Sequence, residues 1–349
     1  MRQRLVLVCA SFIVAAGILL DAQWLTLPTP GLPRLPDGKP NLTAPAPRTQ
    51  DGKPDLAGLW KNDGGDRYYN NVAADLKTDD VAFWAHALFM KRSLEFAKDS
   101  METQCLPLGP AYLTTRYREF RIVQTATLIM FAYSDGMHRE IFMDGRSLEK
   151  DPNPVWMGYS VGRWDGDVLV VESNGYTDRS WLDYGGHPHT EDLRITERYT
   201  RRSVGRFEVQ VTMVDPKVYA KPITLTMPAK LQADTELLEA VCENNQKTRE
   251  RIASTTAAVV VQVPAATLSR YVGTYDTDDD GTKHFVNVTL TGADLWFDYD
   301  GKGKEPLIAL SPVQFSWSGS LVEFSAGPGG AISIAIHYAE GTERGGRRK

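Results

Sequence analysis

Hydrophobic positions along this chain follow two periods. Between residues 119 and 227 they recur mostly at every second position, the period of a half-buried strand, and predict strands at 119–133, 138–144, 167–173, 192–200, 206–214 and 221–227. Ser134-Asp135-Gly136, Asp165-Gly166-Asp167 and Ser203-Val204-Gly205 supply tight turns between several of them. Strands joined by short links, with no helices between them, form an antiparallel meander, which closes most simply into a barrel. After an Ala/Val-rich link at 253–266, a second series begins at 268–276, 284–291, 294–299, 307–317, 320–325 and 331–338, divided by Asp280-Gly281, Gly292-Ala293 and Gly327–Gly330. Two stretches follow the helical period instead. Residues 78–98 place Val81, Trp84, Ala85, Leu88, Phe89 and Arg92 at 3.6 spacing behind a Thr78 or Asp79 cap. Residues 234–253 place Leu237, Leu238, Val241 and Cys242 on one side, which would hand Cys242 to the core from a helix.

The ends of the chain read differently. Residues 1–22 are expected to be a signal peptide: Arg2 and Arg4 precede a small or apolar run from Leu5 to Leu20, and Ala15, Ala16 and Ala22 offer small residues for cleavage. That run of 16 residues is shorter than the ~20 of a spanning helix, and Asp21 interrupts it. An uncleaved anchor is the alternative. Four apolar residues between Arg4 and Cys9 are too few for a lipoprotein signal. No second apolar run of that length follows, so no membrane span is expected after cleavage, and the location is periplasmic or secreted. Residues 23–55 read as a Pro-rich extended arm in which Asp37-Gly38-Lys39-Pro40 returns as Asp51-Gly52-Lys53-Pro54. Residues 341–349 read as a frayed basic tail.

Composition narrows the function classes. With 42% hydrophobic residues, 39 Lys+Arg and 44 Asp+Glu, the chain is globular rather than disordered, and its net charge of −5 lacks the basic excess of a nucleic-acid partner. Three Cys exclude a disulfide-dense scaffold. Cleavage leaves Cys105 and Cys242, for which one disulfide is the leading reading; closing so long a loop stabilises by about 4–5 kcal/mol in the chain-entropy model. A free thiol or a catalytic Cys are the alternatives, and neither Cys has an activating His beside it in sequence. There is no dinucleotide fingerprint, P-loop or Cys cluster, so no cofactor is expected.

Four groups of residues suggest chemistry. Gly158-Tyr-Ser160-Val-Gly162 matches the G-x-S-x-G pattern of serine hydrolases, with Asp183 and His187 or His189 downstream; but a strand rather than a helix follows, and the two glycines alternatively serve a bend. His187-Pro-His189 is the better lead. On an extended segment the two imidazoles share a face about 6–7 Å apart at Cα, and Glu191 shares their parity. The segment reads as a His pocket for binding or acid–base work, as a divalent-metal site of His187, His189 and Glu191, or as a plain solvated loop. An arginine set, Arg116, Arg118, Arg121, Arg139, Arg146 and Arg194, includes an inward-facing Arg139, which must be paired by a carboxylate or by an anionic ligand. Trp156, Tyr159, Trp164, Tyr176, Trp181 and Tyr184 are core residues or walls that stack on a ligand.

Three stretches carry a resemblance: Asp51-Gly-Lys-Pro-Asp-Leu-Ala-Gly-Leu-Trp60; Arg139-Glu-Ile-Phe-Met-Asp-Gly-Arg146 with Trp156-Met-Gly-Tyr-Ser-Val-Gly-Arg-Trp-Asp-Gly-Asp167; and Gly186-His-Pro-His-Thr-Glu-Asp-Leu-Arg-Ile-Thr-Glu-Arg198, followed by Asp215-Pro216 and Cys242-Glu-Asn-Asn245. Over residues 50–247 the chain resembles a family of secreted bacterial proteins with no settled activity, whose members commonly carry His where this chain has Tyr159. From Tyr271-Val-Gly-Thr-Tyr275 onward it resembles the lipocalin-like β-barrel appended to some penicillin-binding-protein-like esterases, which implies an accessory role for that part.

The expected protein is therefore all-β with two helices: a lipocalin-like antiparallel β-barrel at 56–252, then a small β-barrel domain at 267–340. The leading function is an enzyme acting on a small organic molecule, anionic or aromatic, in a barrel pocket. His189, helped by His187 and Asp192, moves a proton, while Arg139, Arg146, Trp156, Tyr159 and Trp181 hold the substrate, in lyase, isomerase or hydrolase chemistry. The alternatives are a non-catalytic small-molecule or glycan binding protein and a serine esterase using Ser160.

Overall fold

The computed structural model describes residues 27–63, 66–116, 118–240, 259–279, 282–301, 304–317, 320–337 and 342–348. Its strands form two closed barrels. The first joins β1 (Gly58–Asn62), β2 (Glu119–Gln124), β3 (Leu128–Tyr133), β4 (His138–Phe142), β5 (Tyr159–Asp165), β6 (Val168–Asn174), β7 (Arg194–Ser203), β8 (Arg206–Val214) and β9 (Ile223–Leu231), with β9 returning to β1 through Trp60↔Leu231. Nine strands cannot alternate direction all the way round a closed ring, so one neighbouring pair must be parallel. That pair is β4 and β5, in register at Ile141↔Ser160 and Phe142↔Val161. The two β-barrels expected from the sequence are both present, and among the described residues this pair is the one departure from the expected antiparallel pairing. Parallel neighbours need a long crossover, and residues 143–158 supply it. Neither β1 nor β5 was expected as a strand, because both are short of clean alternation. The expected strand 119–133 is a hairpin broken at Thr125 to Thr127.

Alternate residues of the strands fill this barrel. Ile195, Glu197, Tyr199 and Arg201 of β7 are buried, as are Phe207, Val209, Val211 and Met213 of β8. Trp60, Phe120, Phe131, Tyr199 and Phe207 make a continuous ring cluster with centroid separations of 4.6–6.3 Å. Among the described residues, this apolar interior holds an ion pair between Arg139 and Glu197. Arg139 meets Glu197 in a two-pronged contact, NH1–Oε1 at 3.0 Å and NH2 to Oε2. Its Nε donates to Ser160 Oγ (3.0 Å) and NH2 also donates to Ser173 Oγ (2.8 Å), while Tyr199 donates its hydroxyl to Glu197. Burial opposes the Arg139 charge, but Glu197 outweighs it, and the guanidinium pKa is pushed further up.

The Pro-rich arm is docked rather than simply extended, and its sequence echo is a structural repeat. In each copy an arginine donates to a glycine carbonyl four residues on, Arg34 to Gly38 and Arg48 to Gly52, and closes a short bridge to the copy's proline. Each arginine then clips a carboxylate on the barrel, Arg34 to Asp234 and Arg48 to Asp167, both at 2.6 Å. The hydrogen bond from Arg34 helps hold Asp234 down to about 2.

Short helices sit beside the barrel: α1 (Asp66–Asn70), α2 (Phe83–Leu94) and α3 (Pro110–Thr115). The expected helix at 78–98 is α2, with Thr78–Asp80 forming a separate 3-10 turn before it. Residues 234–240 are not helical; Ala240 N instead donates to Ser134 O at 2.7 Å, and the rest of the expected helix, with Val241 and Cys242, lies outside the described residues. Cys105 is disulfide-bonded, and the pairing expected for it falls on Cys242, again outside those residues. The signal segment 1–22 is likewise outside them. Among the described residues no helix is long and apolar enough to cross a membrane.

The second barrel comprises β10 (Gly273–Asp279), β11 (Thr282–Thr291), β12 (Asp294–Tyr299), β13 (Lys304–Ala309), β14 (Gln314–Trp317), β15 (Ser320–Ala326), β16 (Ile332–His337) and β17 (Thr342–Arg347), all antiparallel. An even count closes without a parallel pair. The expected frayed tail is in fact β17, which completes the ring between β16 and β10. Its basic residues hide a strand: Glu343 is buried, Arg348 pairs with Asp276, and a Cβ at Gly345 would collide with the Asp276 carbonyl. The second barrel meets α2 where Ser316 Oγ donates to Ser93 O at 3.1 Å.

Removing one partner of a buried pair strands the other charge. Glu197→Ala is expected to cost about 3–5 kcal/mol in urea unfolding, and the double replacement Arg139→Met with Glu197→Leu clearly less. A single-variant loss below ~1 kcal/mol contradicts this account of the interior.

Candidate functional site

Between β6 and β7 the chain leaves the barrel wall and folds residues 175–193 into a compact segment at one rim. The crossover helps set its course: Val155 N donates to Gly175 O (2.9 Å) and Thr177 N to Val155 O (3.1 Å). Gly175 (φ +72) has no room for a Cβ, which would lie 2.7 Å from Pro152 and 2.8 Å from Tyr159.

Asp183, fully buried, organises the next turn. Its carboxylate accepts from the backbone N–H groups of Val72 (2.8 Å), Gly186 (2.8 Å) and His187 (3.0 Å), and from His187 Nδ1 (2.6 Å). The His187 ring lies against Phe89 of α2, centroids 4.0 Å apart. Two residues on, His189 Nδ1 faces the Thr190 carbonyl at 2.9 Å, and Nε2 faces Ser180 Oγ at 2.7 Å. A carbonyl only accepts, so Nδ1 carries the hydrogen and Nε2 presents a lone pair; the Ser180 hydroxyl has one hydrogen and two acceptors in reach, the Thr177 carbonyl at 3.2 Å and the closer Nε2 at 2.7 Å, and donates to the nearer. Asp215 fixes Thr190 through its N–H and hydroxyl, and Tyr219 donates to the Pro188 carbonyl (2.8 Å). Burial lowers the His189 pKa; the Thr190 carbonyl and Asp215 offset only part of it. His189 is therefore a neutral base at neutral pH, already joined to a hydroxyl.

The walls are aromatic. Trp181 is buried with the Arg92 guanidinium 4.3 Å from its ring centroid, and Arg92 NH1 donates to Gly186 O at 2.7 Å. Gly186 (φ +99) allows that approach, since a Cβ there would lie 2.8 Å from Arg92 Cδ. Tyr69 stacks on both Tyr112 and Tyr184, and Tyr176 meets His189 edge-on at 6.4 Å. A Cβ at Gly109, just before α3, would stand 3.5 Å from Ser180 Oγ and 3.4 Å from the Trp156 carbonyl.

The structure brings His187, His189 and Trp181 into this segment and, through the Gly109 contacts, Trp156 beside it. It separates the others from it. Asp192 is exposed and paired with Lys217 (2.7 Å), so it does not assist His189. Arg139 is spent on Glu197 inside the barrel. Arg146 is exposed, bonded to Asp144 and lying over the Phe142 ring. Tyr159 is 40% exposed on β5, and Glu191 is exposed. Among the described residues no three His, Cys, Asp or Glu side chains gather as a metal ion requires. Ser160 bonds Arg139 and Ser173 rather than an imidazole, and Cβ atoms at Gly158 and Gly162 would strike Tyr176 and Met143, so both glycines serve packing. Sequence reasoning missed Ser180, Thr190, Asp215 and Arg92 as site residues. The Asp183–His187 spacing of four was the one available signal. No protein-family model matches the chain, and no curated protein matches it either.

Asp183→Ala leaves three backbone donors and one imidazole without their acceptor. The expected result is a loss of about 3 kcal/mol, with faster amide exchange at Val72, Gly186 and His187; unchanged exchange at those amides contradicts Asp183's organising role.

Proposed function

We propose that this chain is an enzyme working in the periplasm or outside the cell on a small organic molecule, with the Ser180–His189 pair as its working centre and hydrolysis of an ester or related acyl bond as its reaction. The observation that carries the reading is the 2.7 Å contact between Ser180 Oγ and His189 Nε2, with Nδ1 held by the Thr190 carbonyl. A nucleophile joined to a base that a third group orients is the pattern of activated serine chemistry, with a backbone carbonyl in the orienting place. In this scheme Ser180 Oγ attacks the acyl carbon as its proton passes to His189 Nε2. That proton then goes to the departing alcohol; water, deprotonated by the same nitrogen, next attacks the acyl carbon, and the proton returns from Nε2 to the departing Ser180 Oγ as the acid is released. Export rests on the segment from Arg2 to Leu20. Non-catalytic binding of the same kind of molecule is the competing reading, favoured by the aromatic walls around Tyr69, Trp156 and Trp181.

A fluorophosphonate probe followed by peptide mapping separates the readings. The label is expected on Ser180, absent in Ser180→Ala and slowed by about 100-fold or more in His189→Gln. Label on Ser160 alone, or none at all, contradicts the proposal.

The pH profile follows from the direction of the His189 shift. The base works when neutral, and burial keeps it neutral to lower pH than a free imidazole. The labelling rate is expected to fall at acid pH with a midpoint below about 6.5, the ordinary His value. A fall centred above that value contradicts the buried-base account.

A further inference from the structure

We propose that this site takes a small organic carboxylate with an aromatic body, and that Arg92 receives its carboxyl group. The inference rests on the reading of Ser180–His189 as the working centre and adds the class of molecule handled there.

Arginines withdrawn from solvent around the first barrel are satisfied in different ways. Arg139 has Glu197, Ser160 and Ser173. Arg116 has Glu102 and Asp135. Arg201 donates to the carbonyls of Asp55, Ser203 and Val204. Arg92 differs from all three. Among the described residues the one hydrogen bond of its guanidinium is NH1 to Gly186 O, and no carboxylate lies within ion-pair distance of it. A guanidinium carries five N–H donors in a planar fork that matches a carboxylate in two-pronged fashion. The Nε–NH2 edge of that fork has no protein acceptor, although the group is drawn deep enough that burial pulls its pKa down to about 10. Arg92 is half-buried and its spare donors are not sealed from solvent, so the open edge can be reached by an anion, which a guanidinium binds through charge-assisted hydrogen bonds.

The location fits the chemistry. Arg92 lies on the Trp181 ring, and Trp181 directly follows Ser180 in the chain. The Arg92 charge is also felt at His189. A carboxylate on the open edge therefore lies beside Trp181, with the hydroxyl that His189 activates one residue away. Half-buried Phe89 and Tyr184 offer apolar and aromatic surface to the rest of the ligand. The negative field of Asp183 and Asp99 also acts on Arg92. It penalises a dianion more than a monoanion, which favours a carboxylate over a phosphate.

Binding of benzoate to the full chain, followed by calorimetry and tryptophan fluorescence, tests this without any turnover. The expected result is saturable benzoate binding, no saturable binding of its neutral analogue benzamide, and weaker binding of phenyl phosphate. Arg92→Gln is expected to weaken benzoate at least tenfold and Arg92→Lys less. Benzamide binding as tightly as benzoate, phenyl phosphate binding more tightly, no benzoate binding, or a folded Arg92→Gln that binds normally each overturns the carboxylate assignment. The benzamide comparison uses the unmodified chain, so it decides the matter even if Arg92→Gln does not fold. Loss of probe labelling with benzoate binding intact overturns the catalytic reading alone.

Discussion

An odd number of strands in a closed ring is the constraint on which the rest of the molecule depends. Nine strands force one parallel pair, and a parallel pair forces a crossover long enough to carry the chain from one end of the barrel to the other. Here that crossover is residues 143–158. It ends by bridging Val155 to the backbone on either side of Tyr176, which fixes where the segment after β6 leaves the wall. Trp156 comes with it, its carbonyl close to Gly109 and so to Ser180. The irregular part of the barrel and the candidate site are thus one feature. The eight-stranded second barrel needs no such crossover, and its strands follow one another by antiparallel pairing alone.

Charge is handled in opposite ways at two depths. Inside the barrel Arg139 and Glu197 use each other and the surrounding hydroxyls, a closed network that fixes the interior rather than receiving a ligand. At the rim Asp183 is spent on backbone N–H groups and one imidazole, holding the turn that presents His187, and Asp215 is spent on Thr190. His189 is left with a carbonyl and a hydroxyl, neutral partners that orient it without charging it. Helix α2 joins these regions. Phe89 and Arg92 face the histidine segment, and Ser93 meets Ser316 of the second barrel, so one helix touches both.

The strand series was legible because alternation survives wherever one face is buried. The limits 206–214 and 294–299 could be read directly from it. What escaped had a physical reason. β5 carries Gly162 where side chains from Ile141 and Met143 need the space, so its alternation is broken. β17 carries glycines and arginines that resemble a tail until Asp276 and buried Glu343 are seen as partners. The histidines were legible as a pair on one segment. Their partners were not, because Ser180 and Asp215 reach the segment only through the fold. Arg139 could be read as inward and in need of a partner, but the choice between Glu197 and a ligand depends on cross-barrel distance, which no local spacing encodes.

The central claim is that His189 is a neutral base, hydrogen on Nδ1, accepting the Ser180 hydroxyl at Nε2. Nitrogen-15 NMR of the histidine side chains measures this directly, with Ser180→Ala assigning the resonance. The account predicts an Nδ1–H tautomer at neutral pH, a titration midpoint below that of a free imidazole, and a displaced Nε2 shift in Ser180→Ala. An Nε2–H tautomer, or a midpoint at or above the ordinary value, would contradict it.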